Sequence, residues 1–343
     1  MFVTGHTGFM GGWLVLALRR LGAEIHGYAL DPPTTPSLFE LAAIRAALAA
    51  DVRADIRDPA RLTAAARAAR PDVVFHLAAQ PLVLESYAHP VATYATNVVG
   101  TAHALEAVRE VGGVRAAVIV TSDKCYSNDG KGRAFAEGDP LGGDDPYSSS
   151  KACAELVTAA YRASFFPASG ESCRVASVRA GNVIGGGDWG ANRLVPDCVR
   201  ASRENKPVTL RHPRAIRPWQ HVLDAVRGYL LLVQKMCGTG GASHARAWNF
   251  GPAAADAIPV ETVATEIMAG LGGRVIAEER PDSPHEAPVL HLDATRAAEQ
   301  LGWRQQLPVR TALAETVAWY AAWAAGQDMA AVTRGQIERY LPA

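Results

Sequence analysis

The chain is expected to be an α/β protein built on a doubly wound parallel sheet, and three observations predict it. Short apolar, β-prone runs alternate with helically spaced apolar stretches through the first half of the sequence. A glycine-rich turn, Gly5, Gly8 and Gly11, joins the first such run to the first helical stretch. An acidic residue, Asp31, closes the second run twenty positions after Gly11.

The elements follow in order. Met1 to Thr4 reads as the first strand, and Trp13 to Leu21 has helical apolar spacing. Glycine in the turn between them permits positive φ and close approach of the backbone to a phosphate. The helix N-terminus adds unpaired N–H groups and a partial positive charge. The spacing is G-x-x-G-x-x-G rather than the older G-x-G-x-x-G fingerprint, and an ordinary strand-to-helix turn would carry one or two of these glycines. Ala23 to Leu30 forms the second strand. Asp31 then stands where a carboxylate meets an adenosine ribose 2′-OH and repels a 2′-phosphate, which favours NAD over NADP; the bland alternative is that Asp31, followed by Pro32-Pro33, only opens a loop. Asp51 to Ile56, Asp72 to Ala79 and Ala116 to Val120 supply three more strands. Arg61 to Arg70 supplies a helix, and Ala-rich helices are expected over Leu41 to Ala50 and Leu62 to Ala69.

Composition narrows the function. Thirty-four basic residues balance thirty-four acidic ones, so no net field draws in nucleic acid or an anionic membrane. Cys125, Cys153, Cys173, Cys198 and Cys237 are odd in number and lack a C-x-x-C pair, the pattern of reduced cytoplasmic thiols rather than a disulfide framework or zinc site. No apolar run approaches the ~18 residues of a membrane span, and no signal peptide is visible. His285 and Glu286 have metal-capable side chains but no partners at suitable spacing, so no metal is expected.

The chemistry concentrates after the fifth strand. That strand runs into Thr121-Ser122-Asp123-Lys124, a polar quartet at the carboxyl end of a sheet strand, where ligands of open α/β sheets bind. Tyr147 and Lys151 are four apart at the start of the next helix and project from one face. A phenol with a pKa of ~10 is a poor base, but a nearby ammonium and a nicotinamide cation favour the phenolate. Ser127 to Asp145, between the two motifs, is either a lid or an inert surface loop. Arg211, His212, Arg214 and Arg217 cluster within seven residues, as a diphosphate cradle or as a solvated basic loop.

With these motifs the sequence resembles the extended short-chain dehydrogenase/reductase family over nearly its whole length. The resemblance is carried by Gly5-His6-Thr7-Gly8-Phe9-Met10-Gly11, Asp55-Ile56-Arg57-Asp58, His76-Leu77-Ala78-Ala79-Gln80, Asn97-Val98-Val99-Gly100-Thr101 and Arg179-Ala180-Gly181-Asn182-Val183. Further strings point to the branch that dehydrates CDP-glucose: Thr121 to Tyr126, Gly185-Gly186-Gly187-Asp188-Trp189, Arg217-Pro218-Trp219-Gln220-His221-Val222, Trp248 to Pro252 and Pro284-His285-Glu286-Ala287.

The resemblance implies a Rossmann-type fold and roles for particular residues. NAD would be held by Gly5, His6, Thr7, Gly8, Phe9, Met10, Gly11, Asp31, Asp55, Ile56, Leu77, Ala78, Ala79, Gln80 and Asn97, with Tyr147 and Lys151 at its nicotinamide. Tyr147, supported by Lys151, would take the sugar 4-OH proton, Ser122 would bond O4, and Asp123 would protonate the departing 6-OH. Lys124 occupies the place of a glutamate C5 base in the dTDP-glucose branch, so the C5 base is open at this stage. Asn182, Arg193, Leu194, Val195, Arg211 and Arg217 would face a nucleotide-sugar substrate, CDP-glucose being favoured. Trp219 and His221 either wall the nucleotide pocket or pack in the core. Met10 departs from the lysine expected there, and the short first strand suggests residues missing before Met1.

The expected organisation is an NAD-binding unit over 1–183 and a smaller mixed α/β substrate unit mainly over 184–343, with segments such as Val183 to Ile184 and Ala247 to Phe250 joining or abutting the large sheet. A long helix from Pro90 to Val111 and the Tyr147 helix are implied to pack across a twofold axis, giving a homodimer. Three functions fit in different degrees. A 4,6-dehydratase needs Asp123 and a C5 base, a sugar 4-epimerase needs only Tyr147 and Lys151, and a dinucleotide-sensing regulator needs only the glycine turn.

Overall fold

The computed structural model describes residues 1–128, 130–167, 173–278 and 289–341. Seven parallel strands form the central sheet: β1 (Phe2–Thr4), β2 (His26–Ala29), β3 (Ala50–Arg53), β4 (Val73–His76), β5 (Ala116–Val120), β6 (Arg174–Ala180) and β7 (Ala247–Phe250). Their spatial order is β7-β6-β5-β4-β1-β2-β3. The chain winds outward from β1 to β3, then crosses back to lay β4 against the other side of β1. Thr4 is therefore in register with both Tyr28 and His76. This reversal opens a crevice at the carboxyl ends of β1 and β4.

The strands are short and apolar because helices cover both faces. Alternate side chains go to opposite layers: Val3, Phe75 and Val118 join one hydrophobic cluster, while Phe2, Val74 and Ala117 join the other. The first layer is closed by α1 (Phe9–Arg20) and later by the helix Val222–Cys237, which packs on α1. The second is closed by α2 (Pro59–Ala69), α3 (Gly100–Val111) and α4 (Pro146–Phe165), packed in sequence. α2 starts at Pro59 under an Asp58 cap, and α4 at Pro146 under an Asp145 cap, each aspartate accepting from an N–H of the first turn. Pro90–Tyr94, a π turn over Ala95–Val99 and α3 run on continuously, as the expected Pro90–Val111 helix.

The second half adds α5 (Leu194–Arg203) and four two-stranded pairs, three of which lie wholly or partly within 183–277 and flank the crevice. Its apolar residues Val195, Trp219, Ile267 and Trp319 belong to the same cluster as Val3 and Trp13. β7 rejoins the large sheet, whereas Val183–Ile184 pairs with Gln220–His221 outside it.

One local expectation fails, and one open alternative is decided. Leu41 to Ala50 is not one helix: Leu38–Leu41 ends where Ala43 turns left-handed at φ 51°, a short 3₁₀ turn Ile44–Ala47 follows, and Ala50 already begins β3. Packing of Leu38 and Ile44 over the glycine face of α1 at Gly12 overrides the alanine propensity. The described part of 127–145 is no lid over the crevice. It is tied down by the pairing of Ala134–Phe135 with His291–Leu292 and by bonds from Asn249 to Phe135 O and Glu137.

Candidate active site

A cleft of about 880 Å³ runs from the glycine turn, past the end of β5, to the start of α5. At its first end, Gly5 takes φ +77° and a Cβ there would sit 2.7 Å from Ala78 N. A Cβ on Gly11 would sit 2.1 Å from Gly5 O. Only glycines let the turn fold this tightly onto the loop after β4. Gly8 caps α1 with extended backbone and no side chain, leaving the helix N-terminus open to the cleft. The Asp31 carboxylate stands at the end of β2 with 89% of its side chain exposed, 3.6 Å from Arg53. This backbone cradle, helix end and exposed carboxylate fit a dinucleotide.

Thr7, Gly8, Phe9, Met10, Asp55, Ile56, Leu77, Ala78 and Ala79 line the same stretch. Three residues expected there do not. The His6 ring is fully buried behind the turn, its Nε2 2.8 Å from Asp51, because the missing side chain of Gly27 leaves room for it under β2. Asn97 and Gln80 form an internal tie instead of a cleft wall. Asn97 accepts from Gln80 N–H at 2.8 Å and donates to Gln80 O and to Ser150 Oγ, joining the loop after β4 to α4.

The middle of the cleft holds Ser122, Asp123, Lys124, Tyr147 and Lys151 together. β5 ends at Val120, and a 3₁₀ turn over Asp123–Cys125 is capped by Ser122, whose Oγ accepts from Lys124 N–H. Ser122 Oγ donates to Asp123 Oδ1 at 3.0 Å, and Asp123 Oδ2 is buried with no hydrogen-bond partner among the described residues. Burial raises the Asp123 carboxyl to about 6 against the pull of Lys124, Ser122 and Arg217. Burial likewise pushes Tyr147 up to about 12, opposed by a hydrogen bond with Ser122 and by the Arg193 charge. Lys151 is pushed down to about 8 by burial, and its Nζ donates to Val120 O at 3.4 Å. The neighbouring Asp123 and Asp145 charges raise the phenol further.

At the far end, Asn182, Arg193, Leu194, Val195, Arg211, His212, Arg217 and Trp219 line the cleft. Arg193 caps α5 and is held by both oxygens of Asp188 at 3.1 Å. Arg211 donates to Asn192 O, and Arg217 is buried, its charge reaching Asp123. Arg214 is exposed and does not line the cleft. Trp219 lines the cleft while its Nε1 donates to Ile258 O. His221 does not line it: the buried ring caps the Val222–Cys237 helix and meets Trp13 edge-on at 6.0 Å. His285 and Glu286 lie outside the described residues.

The sequence reading missed a buried ion pair behind the site. Glu155 accepts from Arg179 at 2.7 Å, from Thr121 Oγ1 at 2.5 Å and from Ser177 at 2.7 Å. The spacing Tyr147, Lys151, Glu155 on one helix face is its only sequence trace.

Residues 2–316 match the family described as GDP-mannose 4,6-dehydratase. The chain belongs to that family. Within the family a CDP-glucose 4,6-dehydratase of Salmonella typhimurium is 46% identical over all of this chain and 96% of its own length. A UDP-glucose 4-epimerase of Mycolicibacterium smegmatis is 29% identical over 93% of this chain and 97% of its own. A dTDP-glucose 4,6-dehydratase of Streptomyces venezuelae, solved with NAD bound, superimposes with a TM-score of 0.77 at 26% identity, covering 96% of this chain and 99% of its own. The family member described here thus has relatives of both dehydratase and epimerase type.

Proposed function

We propose that the chain is an NAD-dependent hydro-lyase that converts CDP-D-glucose to CDP-4-keto-6-deoxy-D-glucose and water. The observation that carries this reading is Asp123: a buried carboxyl raised to about 6, with an unpartnered oxygen, in one cleft with Tyr147 and Lys151. A 4-epimerase has no use for such an acid.

Tyr147, bonded with Ser122, takes the proton of the sugar 4-OH, and Ser122 holds O4. The Lys151 ammonium supports the phenolate from the same helix face. Bound NAD would supply reversible two-electron chemistry, accepting the hydride of C4 and giving it back at C6 once water is lost, and its pyridinium charge would favour the Tyr147 phenolate. The 4-ketone acidifies the C5 proton, and Lys124, next to Asp123 in the turn and lining the cleft, is the side chain placed to take it and to return a proton to C5 after C6 is reduced. Asp123 gives its proton to the 6-OH, which leaves as water. Asn182, Arg193, Arg211 and Arg217 meet the diphosphate through charge-assisted bonds, and Leu194, Val195 and Trp219 wall the nucleoside. The nucleotide base is assigned to cytosine from the 46% identity with the Salmonella relative.

In the same reading the protein works in the cytoplasm as a homodimer. All five cysteines are unpaired thiols, and no helix among the described residues is long and apolar enough to cross a membrane. α4 carries exposed Leu156 and Phe165, and Val99 is exposed where α3 begins, apolar side chains suited to contact with a second copy.

The test offers CDP-, dTDP-, GDP- and UDP-glucose in deuterated water. The expected result is 4-keto-6-deoxy product from CDP-glucose with deuterium at C5. Epimerised hexose without label at C5 would replace the dehydratase by an epimerase, and absence of turnover would favour a dinucleotide sensor.

A further inference from the structure

Thr121 opens the polar quartet, yet the chemistry above gives it nothing to do. Thr121 lines the cleft, but its hydroxyl turns to the interior. Oγ1 lies 2.5 Å from Glu155 and 3.2 Å from Val178 O, and its backbone N–H donates to the same carbonyl at 2.9 Å. Glu155 and Arg179 are each 3% exposed, so their pairing lies in the interior. Arg179 in turn donates to Tyr126 OH at 2.6 Å and to Glu137 O, and Tyr126 OH donates to Asn249 at 2.7 Å. Burial alone would raise the Glu155 carboxyl, but the bonds from Arg179, Thr121 and Ser177 hold it below the usual range. It is therefore ionised and can only accept, which makes the Thr121 hydroxyl the donor.

The consequence falls on the next two residues. Asp123 Oδ2 has no hydrogen-bond partner among the described residues to aim it at a 6-OH, and Oδ1 is bonded by Ser122. What aims it is the backbone of the turn. That turn is fixed on one side by Ser122 capping Lys124 N–H and on the other by the Thr121 tether. We propose that Thr121 and Glu155 are positioning residues for the dehydration step: an ionised carboxylate, anchored by Arg179 on the Tyr147 helix, holds the end of β5 so that the acid and the phenol face one hexose. The inference rests on the dehydratase reading for its substrate.

Thr121→Val keeps the branched shape and removes only the hydroxyl. Single-turnover reactions with CDP-glucose should show water loss slowed about tenfold or more, since small misplacements of a reacting group cost this much. C4 oxidation and KM should stay within about twofold of wild type, and Thr121→Ser should restore water loss to the same margin. Glu155→Asp, which withdraws the carboxylate while keeping its charge beside Arg179, should slow the same step. Wild-type water loss in folded Thr121→Val, or equal loss in both half-reactions, would overturn the proposal. If the wild-type chain turns over no nucleotide sugar, the dehydratase reading fails. Crystal structures of wild type and Thr121→Val then decide the tether: a displaced Asp123 backbone supports it, and an unmoved one refutes it.

Discussion

At the scale of single residues, burial sets the charge of the site's acid and bases before any ligand enters. Asp123 donates a proton only below its raised value of about 6, and Lys151 loses its ammonium above about 8. Single-turnover water loss should therefore fall as pH rises through 6, and C4 oxidation should fall as it rises through 8. Asp123→Asn should slow water loss by about 10²-fold or more while C4 oxidation continues. The same substitution should raise Tm at neutral pH. A carboxyl whose folded value lies above its unfolded 3.8 gives stability that is complete below 3.8 and lost as pH rises through about 6, and the amide escapes that loss. A variant that is less active and no more stable at pH 8 would mean that the Asp123 carboxylate is not penalised by its surroundings. Tyr147→Phe should abolish C4 oxidation with NAD affinity unchanged, read by calorimetric titration and by the absence of reduced-nicotinamide absorbance.

At the scale of elements, the glycine turn is the most constrained piece. Gly11→Ala would drive a Cβ to 2.1 Å from the Gly5 carbonyl, backbone against backbone, so the turn must open. A cost of about 1–3 kcal/mol for such overpacking translates into about 5- to 150-fold in NAD affinity, measurable by titration. The turn, the first five strands and the Tyr147 helix were legible in the sequence because each depends on local pattern: apolar alternation, a proline at the first helical position, an aspartate cap. Features that depend on distant partners were not. The alanine-rich stretch 41–50 carries helix propensity, and only Gly12 on another element explains why Leu38 and Ile44 fold over it. His6 and His221 sit in motifs beside the ligand yet turn inward, to Asp51 and Trp13. Glu155 and Arg179 stand on different elements, and their pairing exists only once β6 lies against β5 under α4.

At the scale of the whole molecule, the sheet reversal between β1 and β4 places a dinucleotide cradle and a proton-transfer site along one crevice, and the second half supplies the arginines that close its far end. The exposed apolar side chains of α4, with Val99 at the start of α3, carry the homodimer in our reading. Leu156→Glu, at a position 58% exposed, should convert the dimer to a monomer by light scattering and leave Tm nearly unchanged. An unaltered mass would move the interface elsewhere. The central claim is that one cleft removes hydrogen from C4 and returns it to C6 of the same sugar. CDP-glucose carrying deuterium at C4 tests it most directly. The predicted product has that deuterium at C6 and none in solvent; deuterium retained at C4 of an epimerised hexose, or lost to water, would contradict it.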